Sequence, residues 1–159
     1  MMLGLRYGGI SLVARPPENP RIEADVLPMW ERFGNRILDR EGVSRKMYTT
    51  VRNGGRVATL IDNRIRQKEG AIKLPFFDEE AWTSPITAFV AIRTGALTVP
   101  VSCQAIDDDH YVVRIDPPIR PEGHSVETLT SKYLQWAEDQ IRRDPGMWMW
   151  MHRRWREDE

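Results

Sequence analysis

The segment Met147-Trp148-Met149-Trp150-Met151-His152-Arg153-Arg154-Trp155-Arg156 constrains this chain more than any other. It gathers three of the six tryptophans and three of the seven methionines beside one histidine and three arginines, close to a terminus. Termini usually fray into water, and large apolar side chains left there forfeit the free energy of burial. Such a block has to lie against something. The candidates are the chain's own core, another domain, or a membrane surface.

The 159 residues suit one domain of ordinary size with a real core. Lys plus Arg balance Asp plus Glu at 23 each, so no net field draws the chain to nucleic acid. Local charge is less even, with Arg142, Arg143, Arg153, Arg154 and Arg156 ahead of the closing Glu157-Asp158-Glu159. The single cysteine, Cys103, excludes an internal disulfide and reads as a buried thiol acting as a small hydrophobe. No stretch approaches the roughly 20 apolar residues that span a bilayer. Residues 1–13 carry Arg6 and several glycines, which fits neither a signal peptide nor a membrane anchor.

Alternating strand and helix patterns run through the chain. Ile10-Ser11-Leu12-Val13-Ala14 is β-branched and apolar, and Arg15-Pro16-Pro17 stops it. Asn19-Pro20 predicts an N-cap and first helical residue, with Pro28 kinking or dividing the helix before Gly34. Arg36 to Leu38 predicts a short strand, and Val43 to Val51 a helix with Ser44 as its cap. Val57 to Ile61 predicts a buried strand with Asp62 at its polar tip. Ile72 to Phe77 fits an edge strand or a tight crossing because it contains Pro75. Thr83-Ser84-Pro85 opens a third helix that ends at Gly95. Leu97 to Ala105 and Tyr111 to Ile115 predict a hairpin turning at Asp107-Asp108-Asp109, and Ser125 to Arg142 the longest helix. This order predicts an α/β fold with a mixed, mostly parallel sheet flanked by helices, the helices at 43–51 and 83–94 crossing between parallel strands.

Six short motifs in order resemble those of the lipid A biosynthesis (late) acyltransferases: Arg15-Pro16-Pro17-Glu18-Asn19-Pro20, Arg32-Phe33-Gly34, Leu60-Ile61-Asp62, Leu74-Pro75-Phe76-Phe77, Arg93-Thr94-Gly95-Ala96-Leu97-Thr98-Val99-Pro100-Val101 and Trp148-Met149-Trp150-Met151-His152-Arg153-Arg154-Trp155. The resemblance implies a glycerolipid-acyltransferase-like fold, a fatty acyl chain carried by acyl carrier protein, and a lipid A-type glycolipid as acceptor. It implies no metal and no cofactor. It places the protein on the cytoplasmic side of the bacterial inner membrane, in peripheral contact. Family members carry a His-x4-Asp/Glu pair ahead of the Arg-Pro strand, where the histidine acts as general base on the acceptor hydroxyl. No such pair precedes Arg15 here. The expectation is therefore the C-terminal portion of an acyltransferase domain, incomplete at its N-terminus, with no catalytic residue of its own. His110, in the hairpin turn, reads as solvent-exposed, and His124 as capping or solvated. His152 formally begins His-x4-Glu with Glu157, but that spacing misaligns the pair on a helix.

Binding residues remain as candidates. Arg suits bidentate contact with phosphate, and the resemblance sets Arg15 near phosphorylated substrate; an ordinary ion pair is the alternative. Asn19 reads as a cap. Asp62 stands at a strand end, where α/β sheets place active-site groups, against the alternative of an Asx turn with Asn63. Arg64, with Arg66 and Lys68, suits acidic carrier protein or phosphates, or else is a solvated loop. Pro100 shapes the floor of the site. Trp148, Trp150, Arg153 and Arg154 form the interface block, either packed on the sheet or laid on anionic headgroups, with one of the two arginines closing the site from below.

Two other functions stay open on the sequence: a non-catalytic homologue that binds phosphoglycolipid or carrier protein, and a peripheral membrane protein using the terminal block alone. Exposed sheet edges or apolar faces would also promote self-association.

Overall fold

The structure is a computed structural model that describes residues 6–156. The chain divides into two compact units, Met1–Leu60 and Ile61–Glu159.

The first unit is built on a three-stranded parallel sheet. Strand β1 (Ser11–Val13) lies between β2 (Arg36–Leu38) and β3 (Val57–Ala58). Parallel neighbours need crossover connections, and two helices supply them: α1 (Pro20–Glu31) after β1 and α2 (Val43–Arg52) after β2. Asn19 caps α1, its Oδ1 accepting the Arg21 N–H at 3.0 Å with Pro20 in the first turn. The helix runs continuously through Pro28 and is not divided there, although the proline supplies no amide to the helical ladder. Phe33 and Gly34 both take positive φ, which turns the chain back into β2. That turn holds Gly34 so close to Gly9 that a Cβ on Gly9 would stand 1.9 Å from the Gly34 carbonyl oxygen. Buried Asn35 ties the same corner, accepting from Ile10 N–H at 3.2 Å and donating to the Arg32 carbonyl at 2.9 Å.

Two expectations change in this unit. The cap of α2 is Gly42, at φ 61°, and Ser44 falls inside the first turn. The strand expected over 57–61 is only two residues long, pairing Val57 and Ala58 with Ser11 and Leu12 and leaving β1 before its last residue, Val13. Leu60, read as buried, is 72% exposed.

The second unit opens with an antiparallel hairpin, β4 (Ile72–Phe76) and β5 (Glu79–Thr83). Helix α3 (Ile86–Thr94) follows and stops at Gly95 in the left-handed conformation, as its glycine predicts. Strands β6 (Val101–Ala105) and β7 (Tyr111–Ile115) form a second antiparallel hairpin. Its turn is organised by Asp107, whose Oδ1 accepts the N–H groups of Asp109 and His110 at 3.0 and 2.9 Å. Helix α4 (Val126–Arg143) starts with a reciprocal cap: Ser125 Oγ accepts from Thr128 N–H, and Thr128 Oγ1 accepts from Ser125 N–H.

Helix α4 buries Leu129, Tyr133, Leu134, Ala137 and Ile141 along one face. It touches two clusters. One joins Leu134, Ala137 and Ile141 to Phe76 and Ala81 of the β4–β5 hairpin. The other joins Leu129 and Tyr133 to Ala88 and Ala91 of α3.

The fold is mixed α/β, but parallel pairing is confined to β1, β2 and β3. The expected mostly parallel sheet is not what the strands form, since two tight turns force antiparallel pairing. The strand β5 was unforeseen, and the helix read from Thr83 begins at Ile86. Helix α3 accordingly does not cross between parallel strands; it links one antiparallel pair to the next. Among the described residues, no helix is long and apolar enough to cross a membrane.

Candidate functional site around Asp62 and the terminal aromatic block

Beyond α4 the chain makes a 3-10 turn at Pro145–Met147 and then folds back over the β4–β5 hairpin. The packing is specific. Trp155 stacks on Phe76 at 6.0 Å with the ring planes 28° apart, and Trp148 meets Phe76 edge-on at 5.9 Å. Indole N–H groups that enter a core need acceptors. Trp155 Nε1–H donates to the Phe76 carbonyl at 3.0 Å. Trp148 Nε1–H donates to Asp62 Oδ2 at 2.9 Å.

Arg154 goes deepest. It is wholly buried, with one terminal nitrogen donating to the Trp82 carbonyl at 2.5 Å and the other to Thr83 Oγ1 at 2.6 Å. Its guanidinium carbon lies 5.0 Å from the Phe76 ring centroid, and Nε–H is buried with no hydrogen-bond acceptor. Burial pushes its pKa down to about 10, with the Asp62 charge opposing that fall and the Arg64 charge adding to it. The group stays cationic at neutral pH.

The second unit therefore brings Asp62, Arg64, Trp148 and Arg154 together. Arg64 Nε–H donates to the Arg156 carbonyl at 2.8 Å, so both ends of the 62–64 loop are tied to the terminal block. Arg66 and Lys68 are exposed on the following turn. Pro100 is buried at the start of β6. Arg153 is exposed. Met149, Trp150 and Met151 stand out in water while Trp148 and Trp155 turn inward. Arg15 belongs to the first unit, where it is exposed and paired with Glu18 at 2.5 Å.

None of the three histidines is set up as a protected base. His110 Nδ1 lies 2.7 Å from Asp107 Oδ1, an arrangement that would fix a tautomer, but its side chain is 74% exposed at the hairpin tip. The bond to His110, more than the Asp109 amide, holds the Asp107 carboxyl below its ordinary pKa. His124 precedes the α4 cap, with its N–H on the Pro121 carbonyl. His152 is exposed, and Glu157 lies outside the described residues. Among the described residues, no three His, Cys, Asp or Glu side chains are grouped to hold a metal ion.

Sequence reasoning overlooked several contacts here. Glu138 accepts Phe77 N–H at 2.9 Å and pairs with Arg142, whose guanidinium sits 4.7 Å from the Phe77 ring. The Glu-to-Arg spacing of four on a helix was the available signal. Cys103, read as buried, is exposed.

These features define a mixed α/β protein with a carboxylate at the end of an apolar run, clasped by a C-terminal Trp/Arg block. The family model of the bacterial lipid A biosynthesis acyltransferases matches residues 1–157, and this chain belongs to that family. The lipid A biosynthesis lauroyltransferase of Escherichia coli (strain K12) is 27% identical over 157 residues, covering 96% of this chain and 50% of that protein. The chain thus spans about half the length of that curated relative.

Proposed function

We propose that this chain supplies the substrate-gripping portion of an enzyme that moves a fatty acyl group from acyl carrier protein to a hydroxyl of a lipid A precursor, within a glycerolipid-acyltransferase-like fold. In this reading Arg15 and Arg64 hold anionic groups, because guanidinium forks match phosphate oxygens. Asp62 orders the loop that presents Arg64. The exposed cations Arg66 and Lys68 meet the acidic carrier protein. A lipid acceptor together with an acyl carrier protein donor calls for work at the cytoplasmic face of the inner membrane, with Met149, Trp150 and Met151 offering a peripheral contact.

The observation that carries the reading is the family match over residues 1–157, which takes in Arg15, Asp62 and Arg64. An alcohol attacks a thioester poorly unless a base removes its proton, and loss of such a base costs about 10²–10⁴ in rate. His110 cannot take the role from a hairpin tip in water, where no enclosed substrate site surrounds it. The chain alone therefore binds and does not turn over.

The test uses the 159-residue protein with acylated carrier protein and a phosphorylated lipid A precursor. Mass spectrometry should find no transfer by the chain alone. Precursor binding, followed by fluorescence of the terminal tryptophans, should weaken at least tenfold on Arg15→Ala or Arg64→Ala, and carrier-protein binding should fall with added salt. Turnover by the chain alone, or binding indifferent to both substitutions, would refute the proposal. Binding without any transfer when the protein is mixed with a His-x4-acid-bearing family fragment favours the non-catalytic homologue.

A further inference from the structure

The β4–β5 hairpin turns without the residue that such a turn calls for. Phe76 pairs with Glu79, so only Phe77 and Asp78 lie between the strands. Both take positive φ, 55° and 65°. Two-residue hairpin turns of this kind favour Asn, Asp or Gly, and a bulky side chain in the left-handed region is driven toward its own following carbonyl oxygen. A glycine at position 77 would make the turn free of strain but would supply no ring. Strained positions without glycine persist where their surroundings over-determine them, and they gather at functional sites.

The surroundings of Phe77 are specific. The Phe76–Phe77 peptide is held from both sides: the Phe76 carbonyl accepts Trp155 Nε1–H at 3.0 Å, and Phe77 N–H donates to Glu138 Oε1 at 2.9 Å. Glu138 stands on α4, and its side chain is only 18% exposed. Its second oxygen, Oε2, accepts from Arg142 at 3.1 Å, and the Arg142 guanidinium carbon lies 4.7 Å from the Phe77 ring centroid. One carboxylate thus fixes the Phe77 backbone directly and its ring through Arg142. That ring lies 6.2 Å from Trp148, whose indole N–H is the donor to Asp62. Phe76, another neighbour of Trp148, is wholly buried in the core beside Leu134 and Ala137. Phe77 is the neighbour whose place depends on the turn.

We infer that Glu138 is a positioning residue for the Asp62 site. It holds Phe77 in its left-handed conformation, Phe77 backs Trp148, and Trp148 aligns the Asp62 carboxylate at the head of the loop that carries Arg64. The importance of that alignment for binding rests on the function proposed above, while the chain of contacts is tested without any substrate.

The test follows exchange of indole N–H protons with water, by nuclear magnetic resonance of the ¹⁵N-labelled 159-residue chain. Trp148 is assigned by its loss in Trp148→Phe, and Trp136, bonded to Asp116 at 2.7 Å, is the internal reference. Glu138→Ala should speed Trp148 exchange about tenfold relative to Trp136, whereas Glu138→Gln, which keeps an oxygen for Phe77 N–H, should stay within about threefold of wild type. Asp78→Gly added to Glu138→Ala should restore most of the protection, because glycine favours the turn unaided. Phe77→Gly keeps the turn and drops the ring; it should match Glu138→Ala, and it replaces that variant if the alanine chain does not fold. Binding of the phosphorylated lipid A precursor, measured below the melting midpoint of every variant, should weaken about fivefold in Glu138→Ala and recover with Asp78→Gly. A Glu138 that served stability alone would lower the midpoint and leave the exchange ratio and the affinity unchanged, and that result overturns the inference. A glutamine variant as exposed to exchange as the alanine one overturns it too, as does a double variant no better protected than Glu138→Ala. If Arg64→Ala leaves precursor affinity unchanged, the proposed function fails, and the exchange ratio still decides the role of Glu138.

Discussion

Replacing Arg154 separates two effects that the buried guanidinium combines. Its hydrogen bonds to Trp82 and Thr83 are charge-assisted and short, each worth about 1.5–3 kcal/mol. Against them stands the cost of holding a cation away from water. A pKa pushed down to about 10 from 12.5 corresponds to a penalty on the charged form of roughly 3 kcal/mol. The penalty cancels much of the bonding. Arg154→Met keeps most of the stem's volume, loses the bonds and relieves the penalty, so it should cost only ~1–2 kcal/mol. Thr83 remains partnered there through its own bond to the Ala81 carbonyl. Arg154→Ala removes the stem as well and opens a hole against Phe76, raising the loss to ~3–5 kcal/mol. Arg154→Lys retains a buried charge without the fork that meets both acceptors, and should fall between them. Five of the six tryptophans lie in the second unit, so intrinsic fluorescence follows its unfolding. At roughly 5 °C per kcal/mol for about 100 residues, Ala should lower the midpoint by ~15–25 °C and Met by ~5–10 °C. A lysine variant closer to wild type than the methionine variant would refute the reasoning, because bonding would then outweigh burial.

Other consequences follow from single contacts. Gly9→Ala should disrupt the first unit, since its Cβ would meet the Gly34 oxygen at 1.9 Å; native-like protection from amide exchange in residues 6–60 would contradict this. Tyr133→Phe loses the bond to Thr98 and should cost ~0.5–1.5 kcal/mol in urea unfolding, while Thr98→Val in that background should add less than it does alone. Asp107, with its folded pKa lowered, stabilises the hairpin turn above the ordinary carboxyl value of 3.8, and that contribution disappears as pH falls through the folded pKa. Carboxyl carbon titration should give a midpoint below 3.8 for Asp107, which His110→Ala should raise. Met149→Ser with Met151→Ser should reduce flotation on anionic vesicles without lowering the melting point, because both side chains are exposed.

Where the fold rests on short-range chemistry, the residues announce it. Asn19-Pro20 is a cap because its side chain reaches only two residues onward, and Ser125 caps α4 across three. Gly95 stops α3 because only its own φ is at stake. The β6–β7 hairpin shows in its flanking β-branched runs. Its counterpart at β4–β5 stayed hidden, because Phe77 and Asp78 adopt positive φ without the glycine that normally marks such a turn. The length of β3 was equally invisible. An apolar run reports a wish for burial, while the extent of a ladder depends on how two strands far apart in sequence come together.

The sequence by itself determined the family, most helix boundaries and the need of the terminal block for a packing surface. Tertiary structure decided which members of that block go inside. Arg153 and Arg154 are chemically identical neighbours, and only a carbonyl and a hydroxyl some seventy residues earlier distinguish them. Asp62 likewise acquires its indole donor from 86 residues away. Periodicity and capping act over a few residues and are written locally, whereas a buried cation or a half-buried carboxylate is defined by partners that meet only once the chain has folded.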